Sequence, residues 1–180
     1  LATGLLVLCL GKHTKLIEGL TNDVKTYTGT FLIGKTTPSF DLETEYNETF
    51  EIDHINTNML NEVAASFLGQ QMQTPPIYSA KQIDGKRAYD FARAGKTVEM
   101  KQSAIEIFDF QIDAARFPEV DFKITCSKGT YIRSIAHDFG QKLSSGATLI
   151  ALRRTQSGPF LIENSKTVEQ WIELINKEEV

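Results

Sequence analysis

Residues 120–127 alternate without a break: Val120, Phe122, Ile124 and Cys126 are apolar, while Asp121, Lys123, Thr125 and Ser127 are polar. A period of two is that of a strand with one buried face. Gly129 ends the run, and Ile132, Ile135, Ala136, Phe139 and Leu143 then recur at helical spacing, with Thr130 in place to cap the helix. Arg133 stands beside that stripe, one turn into the helix. An arginine there is placed to hold a carboxylate or a phosphate, although an ordinary surface arginine fits the local pattern as well.

The same patterning organises the rest of the chain. Leu5 to Leu10 is an apolar run short enough for a buried strand, and 12–20 reads as a short helix. Tyr27, Gly29, Phe31 and Ile33 form the buried face of a second strand, and 34–50, with Pro38 and several acids, reads as a long loop. Asn56 or Thr57 caps a helix with Met59, Leu60, Val63, Ala64, Phe67 and Leu68 on one face, ended by Gly69. Thr74-Pro75-Pro76 opens an insertion whose short helix runs from about Lys86 to Ala94.

Beyond the insertion, Ile105 and Ile107 lie on one parity and Phe108, Phe110, Ile112 and Ala114 on the other, which predicts a strand with a bulge near Ile107-Phe108. Phe117-Pro118-Glu119 turns the chain back, and 148–154 is a further strand. Thr167 and Gln170 make a capping box for a last helix that buries Val168, Trp171, Ile172 and Ile175. Strands outnumber helices and hairpin-like links are common. The expected class is α+β, a mixed, largely antiparallel sheet with flanking helices, as one domain over 1–180 with an insertion at about 74–101.

Composition agrees with a soluble globular domain: 41% hydrophobic and 23% charged, with no membrane-length apolar stretch. Cys9 and Cys126 read as two buried core thiols, and without a CxxC or a histidine cluster no metal site and a cytoplasmic location are expected. A net charge of −4 argues against a nucleic-acid binder, but its distribution argues the other way. Residues 41–62 hold seven acids and no Lys or Arg; 81–101 hold six basic residues against three acids, and 123–154 six against one. Such poles suit either solvated surface or an RNA-binding face.

Several strings bear a family likeness. Gly129-Thr130-Tyr131-Ile132-Arg133-Ser134, followed by Gly146-Ala147 and Leu152-Arg153-Arg154-Thr155-Gln156-Ser157-Gly158-Pro159-Phe160, closely resembles the TruB family of pseudouridine synthases. Leu1-Ala2-Thr3-Gly4-Leu5-Leu6 looks like the tail of that family's GTLDPLATGLL motif, and Gly11-Lys12-His13-Thr14-Lys15 like the helix start after it. Lys25-Thr26-Tyr27 matches the KxY strand. Pro75-Pro76-Ile77-Tyr78-Ser79-Ala80-Lys81 with Gly85-Lys86-Arg87-Ala88-Tyr89 matches the RNA-gripping insertion. The resemblance covers nearly the whole chain. It departs at the front: the family's lysine-proline strand, histidine and catalytic aspartate all precede LATGLL, and His13 follows it.

The resemblance implies a tRNA pseudouridine synthase. Such an enzyme detaches uracil from its ribose, rotates it and rejoins it through carbon without a cofactor, on a base flipped out of the helix stack. The nucleophilic aspartate would lie upstream of Leu1, with Arg133 pairing it. Tyr27 would lie against the uracil and is the candidate for removing the C5 proton; Tyr131 would meet the base edge and Leu152 form an apolar wall. Lys81, Lys86, Arg87, Arg93 and Lys96, interleaved with Tyr78, Tyr89 and Phe91, would grip the T arm of tRNA, the target being the uridine at position 55. Arg153 and Arg154 either reach phosphate at the pocket mouth or pair with nearby acids.

The expected partners are tRNA and, if the chain is nicked, its own front segment as a separate polypeptide. Otherwise the protein is expected to be a monomer with no membrane contact and no separate C-terminal RNA-binding domain. Two readings stand: the enzyme, with these 180 residues inactive alone, and an inert RNA-binding module.

Overall fold

The computed structural model describes residues 2–21, 23–79, 81–83, 85–93 and 100–178, of Ile83, Lys86, Ala92, Arg93 and Glu178 the backbone alone. In chain order the first elements are β1 (Ala2–Gly4), a 3-10 turn (Gly11–Leu16) running into α1 (Ile17–Thr21), β2 (Lys25–Ile33), β3 (Lys35–Thr36) and β4 (Glu48–Thr49). Then come α2 (Thr57–Ala65), β5 (Gly69–Gln73), the small hairpin β6 (Gln82–Ile83) and β7 (Lys86–Arg87), and α3 (Ala88–Arg93). The last third holds β8 (Ser103–Arg116), β9 (Glu119–Cys126), α4 (Ile132–Lys142), β10 (Ala147–Ser157), β11 (Phe160–Leu161) and α5 (Val168–Glu178).

The main sheet runs β1-β10-β2-β9-β8-β5, with β11 on the end of β10. β1 pairs parallel with β10 and every other pairing in this sheet is antiparallel, which is the mixed, largely antiparallel α+β class expected. Register follows the alternation read in the sequence: Phe31 lies opposite Val120, Gly29 opposite Phe122 and Tyr27 opposite Ile124, all on one face. That face is covered by α2 and α4. Phe31 stacks on Phe122 with ring centroids 4.2 Å apart and meets Phe110 edge-on at 6.4 Å, while Phe139 of α4 closes the cluster at 5.5 Å from Phe31. Each such ring removes a large apolar surface from water and adds directional ring contacts.

Several expectations hold in detail. Asn56 accepts from the Met59 N–H and caps α2, whose Leu60 and Ala64 are buried. The β8–β9 register shifts between Ile107 and Asp109, so Phe108 is the bulged residue and its ring is exposed. Thr167 and Gln170 bond reciprocally as a capping box.

Others are corrected. Leu5 to Leu10 is not a buried strand: the strand is Ala2–Gly4, and after Leu5 donates to the Arg154 carbonyl the chain leaves the sheet, with Leu6, Leu8 and Leu10 exposed. Gly4, at φ +96°, makes that departure possible. Cys9, half-buried there, is no core thiol, whereas Cys126 is fully buried. α2 ends at Ala65; Gly69, at φ +91°, opens β5, a strand that the hydrophobic pattern does not announce. The insertion helix begins at Ala88 because Lys86 and Arg87 pair with Gln82 and Ile83; Ala94 falls outside the described residues. α5 buries none of its predicted stripe: Val168, Trp171, Ile172 and Ile175 are all at least half exposed.

α4 packs on β10 so closely that a Cβ at Gly140 would meet the backbone nitrogen of Ala147. Gly140→Ala should therefore lower the unfolding free energy by about 1–3 kcal/mol. Gly19→Ala, in α1 with open space around it, should instead leave stability unchanged or raise it by about 0.5–1 kcal/mol. Paired denaturant titrations check both signs.

Candidate active site

β9 carries the chain to the site. After Cys126 the chain turns through Gly129, at φ +77°, and enters α4 at Tyr131. Thr130 does not cap the helix; its hydroxyl turns back to the Ser127 carbonyl, and Tyr131 is the N-cap without a side-chain bond. The work falls to Gln73 at the end of β5. Its side chain is buried, accepts from the Tyr131 N–H at 2.8 Å and donates to the Tyr131 carbonyl at 3.1 Å, gripping one residue's backbone from both sides. Ser134 donates to the Thr74 carbonyl at 2.8 Å, a second tie between the same segments.

Arg133 is thereby fixed in the first turn of α4, as its second residue. Its Nη1 lies 3.3 Å from the Asp41 carboxylate and 3.9 Å from Glu43, and its Nη2 donates to the Tyr78 carbonyl at 2.8 Å. Asp41 is the partner the sequence did not reveal. It sits in the acidic stretch that read as solvated loop, yet its side chain is only 9% exposed. The loop around it is built to hold it: Thr37 and Ser39 donate to the Asp41 carbonyl, and the Glu43 N–H donates to the second carboxylate oxygen. The backbone bridge of Asp41 to Leu149 anchors the loop on β10. Nothing in the local pattern distinguishes this acid from its neighbours, because its cationic partner lies 92 residues away in the chain.

A cleft of about 460 Å³ opens beside the guanidinium. It is walled by Ala2 to Leu6, Tyr27, Tyr131 and Leu152, with Arg133 and Arg154 at its polar side. The sheet register explains the gathering: Leu152 lies opposite Gly29 and Arg154 opposite Tyr27 on neighbouring strands, and Ala2 pairs with Leu152. Tyr27, Tyr131, Arg133 and Leu152, from separate stretches of the sequence, thus face one cavity. Two tyrosines, an aliphatic side chain and two guanidiniums in one lining are the chemistry that suits a flat polar ring.

A larger concavity, about 730 Å³, lies on the other face of the sheet, lined by Thr28, Thr30, Gln111, Asp113, Asp121, Lys123 and Arg153. Size does not make it the site. Asp121 there is engaged by Thr30 at 2.6 Å and by Arg116 at 2.7 Å, and these bonds hold its carboxyl below the usual carboxylate range. It has an apolar lining of its own, Ile112, Phe122 and Ile150 among it, but neither the paired tyrosines nor Arg133 of the smaller cleft.

Comparison with known proteins decides the family. The family model described as TruB family pseudouridylate synthase (N terminal domain) matches residues 1–132, and that described as tRNA pseudouridylate synthase B C-terminal domain matches 133–179. The chain belongs to the TruB family of pseudouridine synthases. Among its relatives, the protein named tRNA pseudouridine synthase B of Flavobacterium johnsoniae is 50% identical over 92% of this chain and 72% of its own length. That of Phocaeicola vulgatus is 42% identical over 100% of this chain and 77% of its own. The crystal structure of a Cbf5-Nop10-Gar1 complex shares the fold, with a TM-score of 0.72 at 21% identity; this chain spans 45% of the chain it matches there. The family is one of isomerases that act on tRNA, and nothing in the fold or the relatives supports an inert binding module.

The basic residues of this TruB chain divide by position. Arg154 lines the cleft and its Nε donates to the Leu5 carbonyl at 2.8 Å, bracing the cleft wall, whereas Arg153, one residue earlier, points to the opposite face of the sheet. Lys81 is committed inward, to the Lys101 carbonyl and the Ser103 hydroxyl. Arg87 is exposed, with its guanidinium 5.9 Å from the Tyr89 ring centre. Lys96 lies outside the described residues, as do the side chains of Lys86 and Arg93. Among the described residues no helix is long and apolar enough to cross a membrane.

Burial pushes the Tyr27 phenol above its ordinary value, with Arg154 pulling the other way. Burial likewise pushes the neighbouring Cys126 thiol up to about 11. Both groups favour the neutral form in the fold, so their contribution is whole below the unfolded values and disappears as pH rises through the folded ones. For Cys126 that window runs from about 9 to about 11 and is worth roughly 2–3 kcal/mol. Thermal melts between pH 8 and 11 should show this alkaline loss, and Cys126→Ala should flatten it; equal slopes would mean that the thiol ionises freely in the fold.

Proposed function

We propose that the cleft isomerises the uridine at position 55 in the T arm of tRNA, with the target base flipped out of the stack and into the space between Tyr27 and Leu152. The observation that carries this reading is the convergence of Tyr27, Tyr131, Leu152 and Arg133 on one cavity of a size for a nucleobase. Unstacking a base costs a few kcal/mol, which contacts to both of its faces offset.

The nucleophile in this reading is an aspartate preceding Leu1 in the intact enzyme. β1 supports it, because Ala2 to Leu6 line the same cleft as Arg133, so the chain just ahead of β1 has a short path to the guanidinium. A guanidinium has five donors in a fixed fork and can serve a second carboxylate while held by Asp41 and the Tyr78 carbonyl. Arg133 keeps the nucleophile ionised and oriented; Asp41 keeps Arg133 oriented. Tyr131 meets the edge of the base and Leu152 excludes water behind it.

Tyr27 stacks on the uracil, and its hydroxyl is the acceptor for the C5 proton. A phenol whose ionisation burial disfavours is a poor standing base, so the role depends on Arg154, which favours the ionised form. The insertion, 74–101, grips the backbone of the folded T arm through Lys86, Arg87, Arg93 and Lys96. Lys81 serves as a brace within it, and Arg153 and Arg154 belong to different faces. The bond from Arg133 to the Tyr78 carbonyl links this gripping element to the reacting centre. The protein acts as a monomer in the cytoplasm and needs no cofactor.

In the intact enzyme, Arg133→Lys should lower the single-turnover rate on a T-arm stem-loop by roughly 100-fold or more while changing affinity little, because lysine keeps the charge and loses the fork. Tyr27→Phe should slow it by about 10²–10⁴ if the hydroxyl takes the proton. A wild-type rate would reduce Tyr27 to a platform, and wild-type rates in both variants would remove the cleft from the reaction.

For the insertion the readout is salt. Lys86→Ala with Arg87→Ala should weaken T-arm binding and flatten the slope of log affinity against log salt by up to about 1.4–1.8, one increment for each phosphate that is no longer neutralised. An unchanged slope would move the RNA path away from this hairpin.

A further inference from the structure

Phe40 has a backbone few bulky residues adopt, φ 65°, on the loop that carries Asp41. Left-handed geometry at a side chain of this size is uncommon and persists only where surrounding contacts impose it. Those contacts are present. The Phe40 N–H donates to the Thr37 carbonyl at 3.1 Å and its own carbonyl accepts from Leu149 at 3.0 Å, so both ends of the residue are tied. Its ring lies flat on the imidazole of His137, with centroids 4.1 Å apart and planes 15° from parallel.

His137 is four residues after Arg133 on α4, so the two side chains stand one above the other on the same helix face. Phe40 and Asp41 are neighbours on the loop. The loop therefore meets the helix twice, residue for residue, as Phe40 on His137 and Asp41 on Arg133. Burial disfavours the charged imidazole, which leaves a neutral ring against the phenyl face.

We propose that the Phe40–His137 stack is a positioning device for catalysis: it sets the height of the loop on α4 so that the Asp41 carboxylate meets Arg133 and aims its guanidinium into the cleft. Neither ring touches substrate; both act through Arg133, and the inference rests on the reading of Arg133 as the group that orients the nucleophile. Nη2 is held by the Tyr78 carbonyl at 2.8 Å and Nη1 by Asp41 at 3.3 Å, so the aim of the fork depends on where the loop presents the Asp41 carboxylate. The ring stack next to Asp41 holds the loop at that height, because flat aromatic faces resist both sliding and tilting.

The test uses the intact enzyme with saturating T-arm stem-loop under single-turnover conditions, with KM and melting temperature measured for each variant. His137→Ala should lower the rate about three- to tenfold, the scale set by an aromatic pair, and leave KM unchanged. His137→Phe rebuilds a flat ring at the same place and should restore the rate, a rescue that a purely structural or charge-based role would not give. Phe40→Ala should match His137→Ala, and the double variant should be no slower than either. A wild-type rate for His137→Ala overturns the proposal, as does His137→Phe as slow as His137→Ala, or a loss that appears in KM. Arg133→Lys runs alongside: if it is slow while His137→Ala is not, the stack alone is refuted, and if neither is slow the role of Arg133 fails with it.

Discussion

The burial of one stripe of α4 against the sheet is the constraint on which the site depends. Ile132, Ile135, Ala136, Phe139 and Leu143 are all nearly inaccessible, and Phe139 joins the ring cluster of Phe31, Phe110 and Phe122 that spans three strands. With each large side chain worth about 1.5–3 kcal/mol when buried, the helix cannot rotate or slide without a cost larger than any single polar contact in the cleft. The angular position of Arg133, one residue off that stripe, follows. The ion pair to Asp41 and the bond to the Tyr78 carbonyl then select a rotamer within an orientation already fixed by apolar packing.

Features governed by neighbours in the chain were legible in the sequence. The Asn56 cap, the Thr167–Gln170 capping box and the bulge at Phe108 each depend on residues a few positions apart, and each is where the pattern put it. The residues of the cleft were legible for a different reason, a resemblance of motifs; Tyr27 and Leu152 carry nothing in their local pattern to mark them. What failed depends on what lies across space. Alternating leucines from Leu6 to Leu10 have the period of a strand, but a period does not supply a neighbour, and those side chains face outward. The stripe of α5 is as regular as that of α4 and remains exposed, because amphipathic spacing records the capacity to be buried and not the surface that does it.

Asp41 shows the limit most sharply. In the sequence it is one of seven acids in a basic-free stretch, and charge patterning gives no means of telling one of them from another. The structure sets it apart through short-range bonds from Thr37, Ser39 and the Glu43 amide, which fold the loop into a cup around it. Those donors are ordinary loop residues, and their arrangement depends on Leu149 of β10 offering the loop a backbone edge. The acidic pole is thus two things: solvated charge at its periphery and one buried carboxylate with a fixed partner.

Alternation along β10 completes the division of labour between the two sides of the sheet. Arg154 lines the cleft, Ala151 and Arg153 line the larger concavity behind it, and Leu152 borders both. The register shift between Leu149 and Ala151 sets that parity, placing Leu152 opposite Gly29, where a Cβ would run into the Ala151 carbonyl and the Phe122 ring. Without the shift, Arg153 would face the cleft and Leu152 would lie behind the sheet, since a slip of one residue exchanges the faces of everything that follows. A single irregularity in strand pairing therefore decides which of two adjacent arginines belongs to the chemistry, and adjacency in sequence says nothing about it.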